Sequence, residues 1–210
     1  MDAGDCSMSL VDIVSDTETV KEIQPPMVDF LRYSKALKIS IDDTDWEKVQ
    51  FLAETLLLCM KTGKKVFICG NGGSAGNAMH IANDFLYGVS KKFGVGLKVH
   101  ALSANSSVIT CLANDEGYEH IFSHQLGVLA ETGDILIVLS SSGNSPNILN
   151  VLATAKKMKV QSFAILGFSG GKAHQMTDIP ISYPIQDVQI SEDLQMVVCH
   201  MIVQWLYNNG

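Results

Sequence analysis

Arginine is nearly missing from this 210-residue chain, where Arg32 is the single example. A site that clamps an anionic substrate between guanidinium groups is therefore not expected. Basic side chains number 15 against 22 acidic ones, and the formal net charge of -7 counts against non-specific attachment to nucleic acid or to an anionic membrane. The five cysteines (Cys6, Cys59, Cys69, Cys111 and Cys199) are odd in number, scattered and without CxxC spacing. Neither a zinc ribbon nor a disulfide framework is indicated, and the last four lie in apolar runs, as buried free thiols do. No uncharged apolar stretch approaches the roughly 20 residues of a membrane span. The most apolar window, Phe51 to Met60, is short and is interrupted by Glu54. A basic segment followed by an apolar core is also lacking at the N-terminus, so no secretory signal is visible and the cytoplasm is the expected location.

What is present fits one globular α/β domain: 47% of residues are hydrophobic and 18% charged. Charge is unevenly distributed. Residues 1–20 carry Asp2, Asp5, Asp12, Asp16 and Glu18 with no Lys or Arg, which leaves the rest of the chain close to neutral. Residues 1–24 read as an acidic, poorly ordered tail to which no function is assigned, and residues 25–210 as the domain. From about Pro25 two helices are expected. The second starts at a capping box, Thr44-Asp45-Trp46-Glu47, keeps helical spacing at Val49, Leu52, Leu56 and Met60, and ends at Gly63.

Beyond Gly63 a pattern of short apolar run, Gly/Ser/Asn-rich loop and helix sets in. The apolar runs are Lys65–Cys69, Leu97–Leu102, Asp134–Leu139, Val160–Leu166 and Ile179–Tyr183; helices are expected near Ala75–Leu86, Tyr118–Leu129, Pro146–Met158 and Asp187–Trp205. Uninterrupted apolar strands alternating with helices indicate a parallel sheet covered on both faces. Right-handed crossovers bring the loops that follow the strands to one edge of such a sheet.

Two of those loops could hold a phosphate. Gly70-Asn71-Gly72-Gly73-Ser74-Ala75 leads into a helix, where converging amides and the helix N-terminus favour an anion. Ser140-Ser141-Ser142-Gly143-Asn144-Ser145-Pro146 offers four hydroxyls, an N-cap serine and a proline at the first helical position. Either loop alone could equally be a tight turn with a helix cap; their occurrence after two strands of one parallel sheet favours the binding role. The P-loop lysine is absent, and no acidic residue ends the Leu97–Leu102 run, so nucleotide binding is disfavoured.

The two loops, with Asn114-Asp115-Glu116-Gly117-Tyr118 between them, resemble the sugar isomerase (SIS) domains of the phosphoheptose isomerase group over about Asp45–Trp205. The resemblance implies a three-layer αβα sandwich with a parallel flavodoxin-like sheet, here preceded by a helical N-terminal extension. It further implies a homotetramer with active sites at subunit interfaces, converting sedoheptulose 7-phosphate to D-glycero-D-manno-heptose 7-phosphate for bacterial surface heptose. Carried over position by position, Asn71, Gly72, Gly73, Ser74, Asn114, Asp115, Ser140, Ser141, Ser142 and Ser145 would contact the phosphosugar.

Aldose–ketose interconversion moves a proton between neighbouring carbons and needs a base, an acid and stabilisation of the developing oxyanion. His80 and Asp84 lie four apart on one expected helix, and Glu192, Asp193 and His200 on the last. Imidazoles and carboxylates from two helices could bind zinc with an open position for substrate, one ion per active site. In the resembled family the metal is held by a histidine and a glutamate four later, then by a glutamine and a histidine eight later, and the first glutamate and last histidine are the acid–base pair. His80 and His200 match that pattern. Asp84 stands for the glutamate, Glu192 for the glutamine, Asp193 for the glutamate that follows it and Gln195 for an intervening histidine. Asp84, Glu192 and His200 are thus the candidate catalytic residues, and His80, Asp84, Glu192 and His200 the candidate ligands. Glu192 would supply the reach that Asp84 lacks, or serve as the base.

Taken alone, His200 between Cys199 and Met201 could be a core histidine and His80–Asp84 a surface pair; their placement relative to both loops favours the site. His100, His120, His124 and His174 are read as structural, and Met196 and Met201 as core filling. Two other functions suit the same fold: a non-catalytic adaptor of the replication-initiator-binding type, and a sugar-phosphate-sensing module. The retained ionisable positions favour the enzyme, and no DNA-binding element or basic patch supports the sensor.

Overall fold

The computed structural model describes residues 27–210. The proposed tail at 1–24 lies outside that range. Two N-terminal helices, α1 (Met27–Asp42) and α2 (Trp46–Thr62), precede five strands: β1 (Lys65–Gly70), β2 (Lys98–Ala101), β3 (Ile135–Ser140), β4 (Gln161–Leu166) and β5 (Ile179–Ser182). The intervening helices are α3 (Gly73–Asn83), α4 (Ser90–Phe93), α5 (Ser106–Asp115), α6 (Ser123–Leu129), α7 (Pro146–Met158) and α8 (Gly171–Met176), and α9 (Val188–Asn209) closes the chain.

All strand pairings are parallel, in the order β2-β1-β3-β4-β5. This is the flavodoxin-like order expected above. β3 is buried at every position, and β1 and β4 at all but their first, because both sheet faces are covered. Alternate residues serve the two faces. Val66, Ile68, Ile135, Ile137, Leu139, Phe163 and Ile165 pack under α2, α3 and α9. Phe67, Cys69, Leu136, Val138, Ala164 and Leu166 pack against α6, α7 and α8. The chain leaves β1 towards β2 on one side and β3 towards β4 on the other, so the β1 and β3 loops open side by side at the topological switch point.

Several local expectations change. The capping box does not form. Asp45 is the N-cap of α2 and accepts the Lys48 amide at 3.3 Å, whereas the Thr44 hydroxyl turns back to the Ser40 carbonyl at 3.2 Å. Thr44 is buried beside Tyr183, a tertiary contact that outweighs the local motif. Gly63 does end α2 in the left-handed conformation. Replacing Asp45 with Ala should cost about 1 kcal/mol of unfolding free energy in denaturant titration, whereas Thr44→Ser, which keeps the hydroxyl, should cost less. Helix α5 has no counterpart in the sequence reading. Its first turns are Ser106, Ser107, Val108 and Thr110, poor helix formers, and its start depends on Asn105 accepting the Val108 amide at 3.2 Å. The helix expected at 118–129 is a 3-10 turn, Tyr118–His120, followed by α6. Cys59, Cys69 and Cys199 are buried, but Cys111 is exposed on α5. Met201, expected in the core, is 40% exposed. Among the described residues no helix is long and apolar enough to cross a membrane.

Candidate active site

The serine loop and the glycine loop share one cavity of about 230 Å³. Its lining includes Asn71, Ser74, Ser140, Ser141, Ser142, Ser145, Phe168 and Glu192. No Lys, Arg or His lines it. The serine loop is held by its own polar groups: Ser140 Oγ accepts the Gly143 amide at 3.1 Å and Ser142 Oγ the Asn144 amide at 3.3 Å. Asn144 then bridges to α8 by accepting the Lys172 amide at 3.1 Å. Ser145 is the N-cap of α7, with Pro146 at the first helical position, yet its hydroxyl makes no capping bond. It lies next to the amide end of a 13-residue helix. Phe168, which forms part of the wall, has a φ of 49°, rare for an aromatic side chain, and sequence reading gave no sign of it.

Two turns further along α3 lies a second constellation. His80 Nε2 and His200 Nε2 are 3.2 Å apart, and each is 3.4 Å from Asp84 Oδ2. The imidazole rings meet edge to face. Asp84 is the first residue of a π turn, Asp84–Gly88, that continues α3. Its own backbone is still α-helical, with its amide bonded to the His80 and Ile81 carbonyls, so the carboxylate stands one turn from His80 on the same face and reaches both histidines although it is one methylene shorter than glutamate. Asn83 Nδ2 donates to its other oxygen at 3.3 Å. His80 and His200 are 53% and 46% exposed at the side chain, so the cluster opens outward.

These three donors suit a metal ion. Tetrahedral zinc with ligands at about 2.05 Å sets its donor atoms roughly 3.3 Å apart. The observed edges of 3.2, 3.4 and 3.4 Å match that spacing, and two imidazoles with one carboxylate are a donor set typical of catalytic zinc with a fourth position for substrate.

Glu192 is not part of this cluster. Helices α3 and α9 run alongside each other in the same direction, with Glu192 at Gly73 and His200 at His80. Eight residues of helix, about 12 Å, separate Glu192 from His200. The Glu192 carboxylate lies against Gly73, where any β-carbon would collide with it, and lines the serine cavity. The reading of Glu192 as a ligand beside His200 is not met within one chain, where the two positions lie more than two helical turns apart. Between them Asn77 Nδ2 donates to the Glu192 carbonyl at 2.9 Å and to Gln195 Oε1 at 3.0 Å, and Gln195 Nε2 donates to Ser74 Oγ at 3.1 Å. Ser74 is thus buried and engaged in the helix seam, although it borders the cavity. Asp193 accepts the Tyr33 hydroxyl at 2.6 Å; partial burial and that carboxylate push the phenol up to about 12.

Asn114 and Asp115 are exposed at the end of α5, bonded to each other at 2.7 Å, and border neither loop cavity. Cys111 Sγ donates to Asp115 at 3.4 Å, which raises the thiol pKa. From this segment it is Tyr118 that reaches the glycine loop, through a 3.0 Å bond from its hydroxyl to Asn71 Oδ1. His174 bonds Ser182 at 2.8 Å and His100 stacks on Phe67, in keeping with structural roles.

Comparison with known proteins agrees with this geometry. A family model described as SIS domain matches residues 29–167. A phosphoheptose isomerase of Clostridium acetobutylicum is 35% identical over 167 residues, 79% of this chain and 84% of that protein. A phosphoheptose isomerase of Trichlorobacter lovleyi is 38% identical over 154 residues, 72% and 76% of the two chains. The solved phosphoheptose isomerase of Francisella tularensis superposes with a TM-score of 0.80 at 25% identity, covering 87% of this chain and 96% of that one. That of Neisseria gonorrhoeae gives 0.77 at 26% identity, with 86% and 95% covered. The chain belongs to the SIS domain family and, within it, to the phosphoheptose isomerase group.

Proposed function

We propose that this protein is a phosphosugar isomerase that interconverts sedoheptulose 7-phosphate and D-glycero-D-manno-heptose 7-phosphate in heptose biosynthesis. The observation that carries the reading is the His80–Asp84–His200 cluster, built on the helix that begins at the glycine loop. The phosphate belongs at Ser140, Ser141, Ser142 and Ser145, held by hydroxyls and the α7 amides, with Asn71 on the wall across from them; Gly72 and Gly73 would act through the backbone of the glycine loop.

His80, Asp84 and His200 would hold zinc, one ion per site. When bound, that ion polarises the carbonyl and stabilises the enediolate oxygen. The chain's own groups move the protons. The Asp84 carboxylate oxygen not turned to the histidines takes the proton from the carbon beside the carbonyl, and the His200 ring nitrogen that does not hold the ion gives one to the carbonyl oxygen. Reversal of both transfers on the neighbouring carbon completes the isomerisation with no net change in protons. Glu192, facing the serine cavity, acts on the hydroxyl-bearing part of the substrate. The outward exposure of the cluster and the Asn77–Gln195 seam between it and the cavity support sites completed at subunit interfaces of a homotetramer. Asn114 and Asp115 would contact substrate in that assembly. The cytoplasm, where phosphosugars are made and used, is the proposed location.

Purified protein should contain zinc and convert sedoheptulose 7-phosphate, lose activity on dialysis against chelator and regain it with zinc. Absence of turnover from the zinc-loaded protein would overturn the assignment, and would return attention to the adaptor and sensor functions of the fold.

A further inference from the structure

The side chain of Asn71 has an unusual set of partners. Its Nδ2 donates to Asn147 Oδ1 at 2.9 Å, and Asn147 Nδ2 donates back to Asn71 Oδ1 at 2.9 Å. Tyr118 donates its hydroxyl to the same Asn71 oxygen at 3.0 Å. Asn147, in the first turn of α7, is fully buried, so this reciprocal amide pair ties the glycine loop to the helix that follows the serine loop. Tyr118, by contrast, is exposed.

A carboxamide has two lone pairs on oxygen and two hydrogens on nitrogen. Both lone pairs of Asn71 are used, and one of its hydrogens. One N–H remains, at a residue that lines the serine cavity. The direction of that last bond matters because no cation lines the cavity. Rotated by half a turn, the amide would present a carbonyl oxygen to an anion and repel it.

We propose that Asn147 and Tyr118 are positioning residues: by holding the polar atoms of the Asn71 side chain they fix the place and plane of its carboxamide, so that one N–H is available to an anionic oxygen of the substrate. This rests on the reading of the cavity as a phosphosugar site. Neither residue needs to touch the ligand. Their effect passes through Asn71, so it disappears when the Asn71 amide is removed.

The test is a coupling cycle on the full-length, zinc-loaded protein, with dissociation constants for sedoheptulose 7-phosphate and for inorganic phosphate measured by calorimetry. Tyr118→Phe removes one exposed hydroxyl and endangers the fold least. It should weaken both ligands about three- to tenfold, the range that one neutral hydrogen bond supports. Asn71→Ala should weaken them at least as much. Adding Tyr118→Phe to Asn71→Ala should change affinity by less than about twofold. Asn147→Ser should show the same dependence on Asn71, with its melting temperature followed because the site is buried. A Tyr118→Phe effect of equal size in both backgrounds would overturn the proposal, since Tyr118 would then act on the ligand itself or through general packing. So would a Tyr118→Phe protein that binds as the wild type does. Ser142→Ala and Ser145→Ala separate the two layers: if they leave affinity intact, or if the wild type binds neither ligand, the cavity reading itself fails and the proposal with it.

Discussion

Asp84→Asn should lower kcat/KM for sedoheptulose 7-phosphate by roughly a thousandfold or more, with little change in melting temperature. The substitution keeps the side chain's volume and removes the charge that faces His80 Nε2 and His200 Nε2 at 3.4 Å. Loss of a general base alone costs about 10² to 10⁴ in rate, and loss of a zinc ligand adds to it. The two contributions separate experimentally. If Asp84 serves mainly as a ligand, zinc content falls with activity; if it serves mainly as the base, zinc is retained while turnover is lost. His200→Gln should produce a comparable loss. Asp84→Glu restores the usual carboxylate length but should not improve the enzyme, because the shorter side chain already reaches both histidines at 3.4 Å. Turnover within tenfold of wild type in Asp84→Asn would remove the cluster from the mechanism.

Gly143→Ala should destabilise the protein by about 3 kcal/mol, a drop of roughly 6–12 °C in melting temperature for a domain of this size. Gly143 has a φ of 63°, a region costly for residues with a β-carbon, and that carbon would overlap the Gly170 backbone carbonyl. Neither obstacle can be relieved by a side chain moving aside. The amide of Gly143 is held by Ser140 Oγ, and its carbonyl accepts the Ala173 amide at 2.9 Å. Any shift would thus be passed to the serine loop, and affinity for phosphosugar should fall along with stability. Gly76→Ala is the matched control. It lies within α3 with nothing near its added carbon, and should leave melting unchanged or raise it slightly. Equal melting temperatures for the two variants would refute the argument.

Features that depend on long-range repetition were legible in the sequence. The buried strands β1, β3 and β4 show as unbroken apolar runs, and α7 is bounded by Ser145-Pro146 and a lysine pair, so its limits matched those expected. The glycine and serine loops show as Gly- and Ser-rich runs after β1 and β3, and the His80–Asp84 pair follows from spacing on one helix. What failed depended on partners distant in sequence. Thr44 gave up its capping role for burial against Tyr183, 139 residues away. Helix α5 begins despite its composition, because Asn105 caps it. Glu192 was grouped with His200 by alignment to a family pattern, whereas eight residues of helix keep the two apart in one chain. Asn147 carried no signal of its own, since its significance lies in a bond to Asn71, 76 positions earlier.

The seam between α3 and α9 also fixes an order of events. His80 and Asp84 leave the ribosome long before His200, which lies 120 residues after His80. During synthesis the sheet and both loops are complete before α9 emerges, but the cavity still lacks Glu192 and the cluster still lacks His200. Both therefore depend on the docking of α9 against α3.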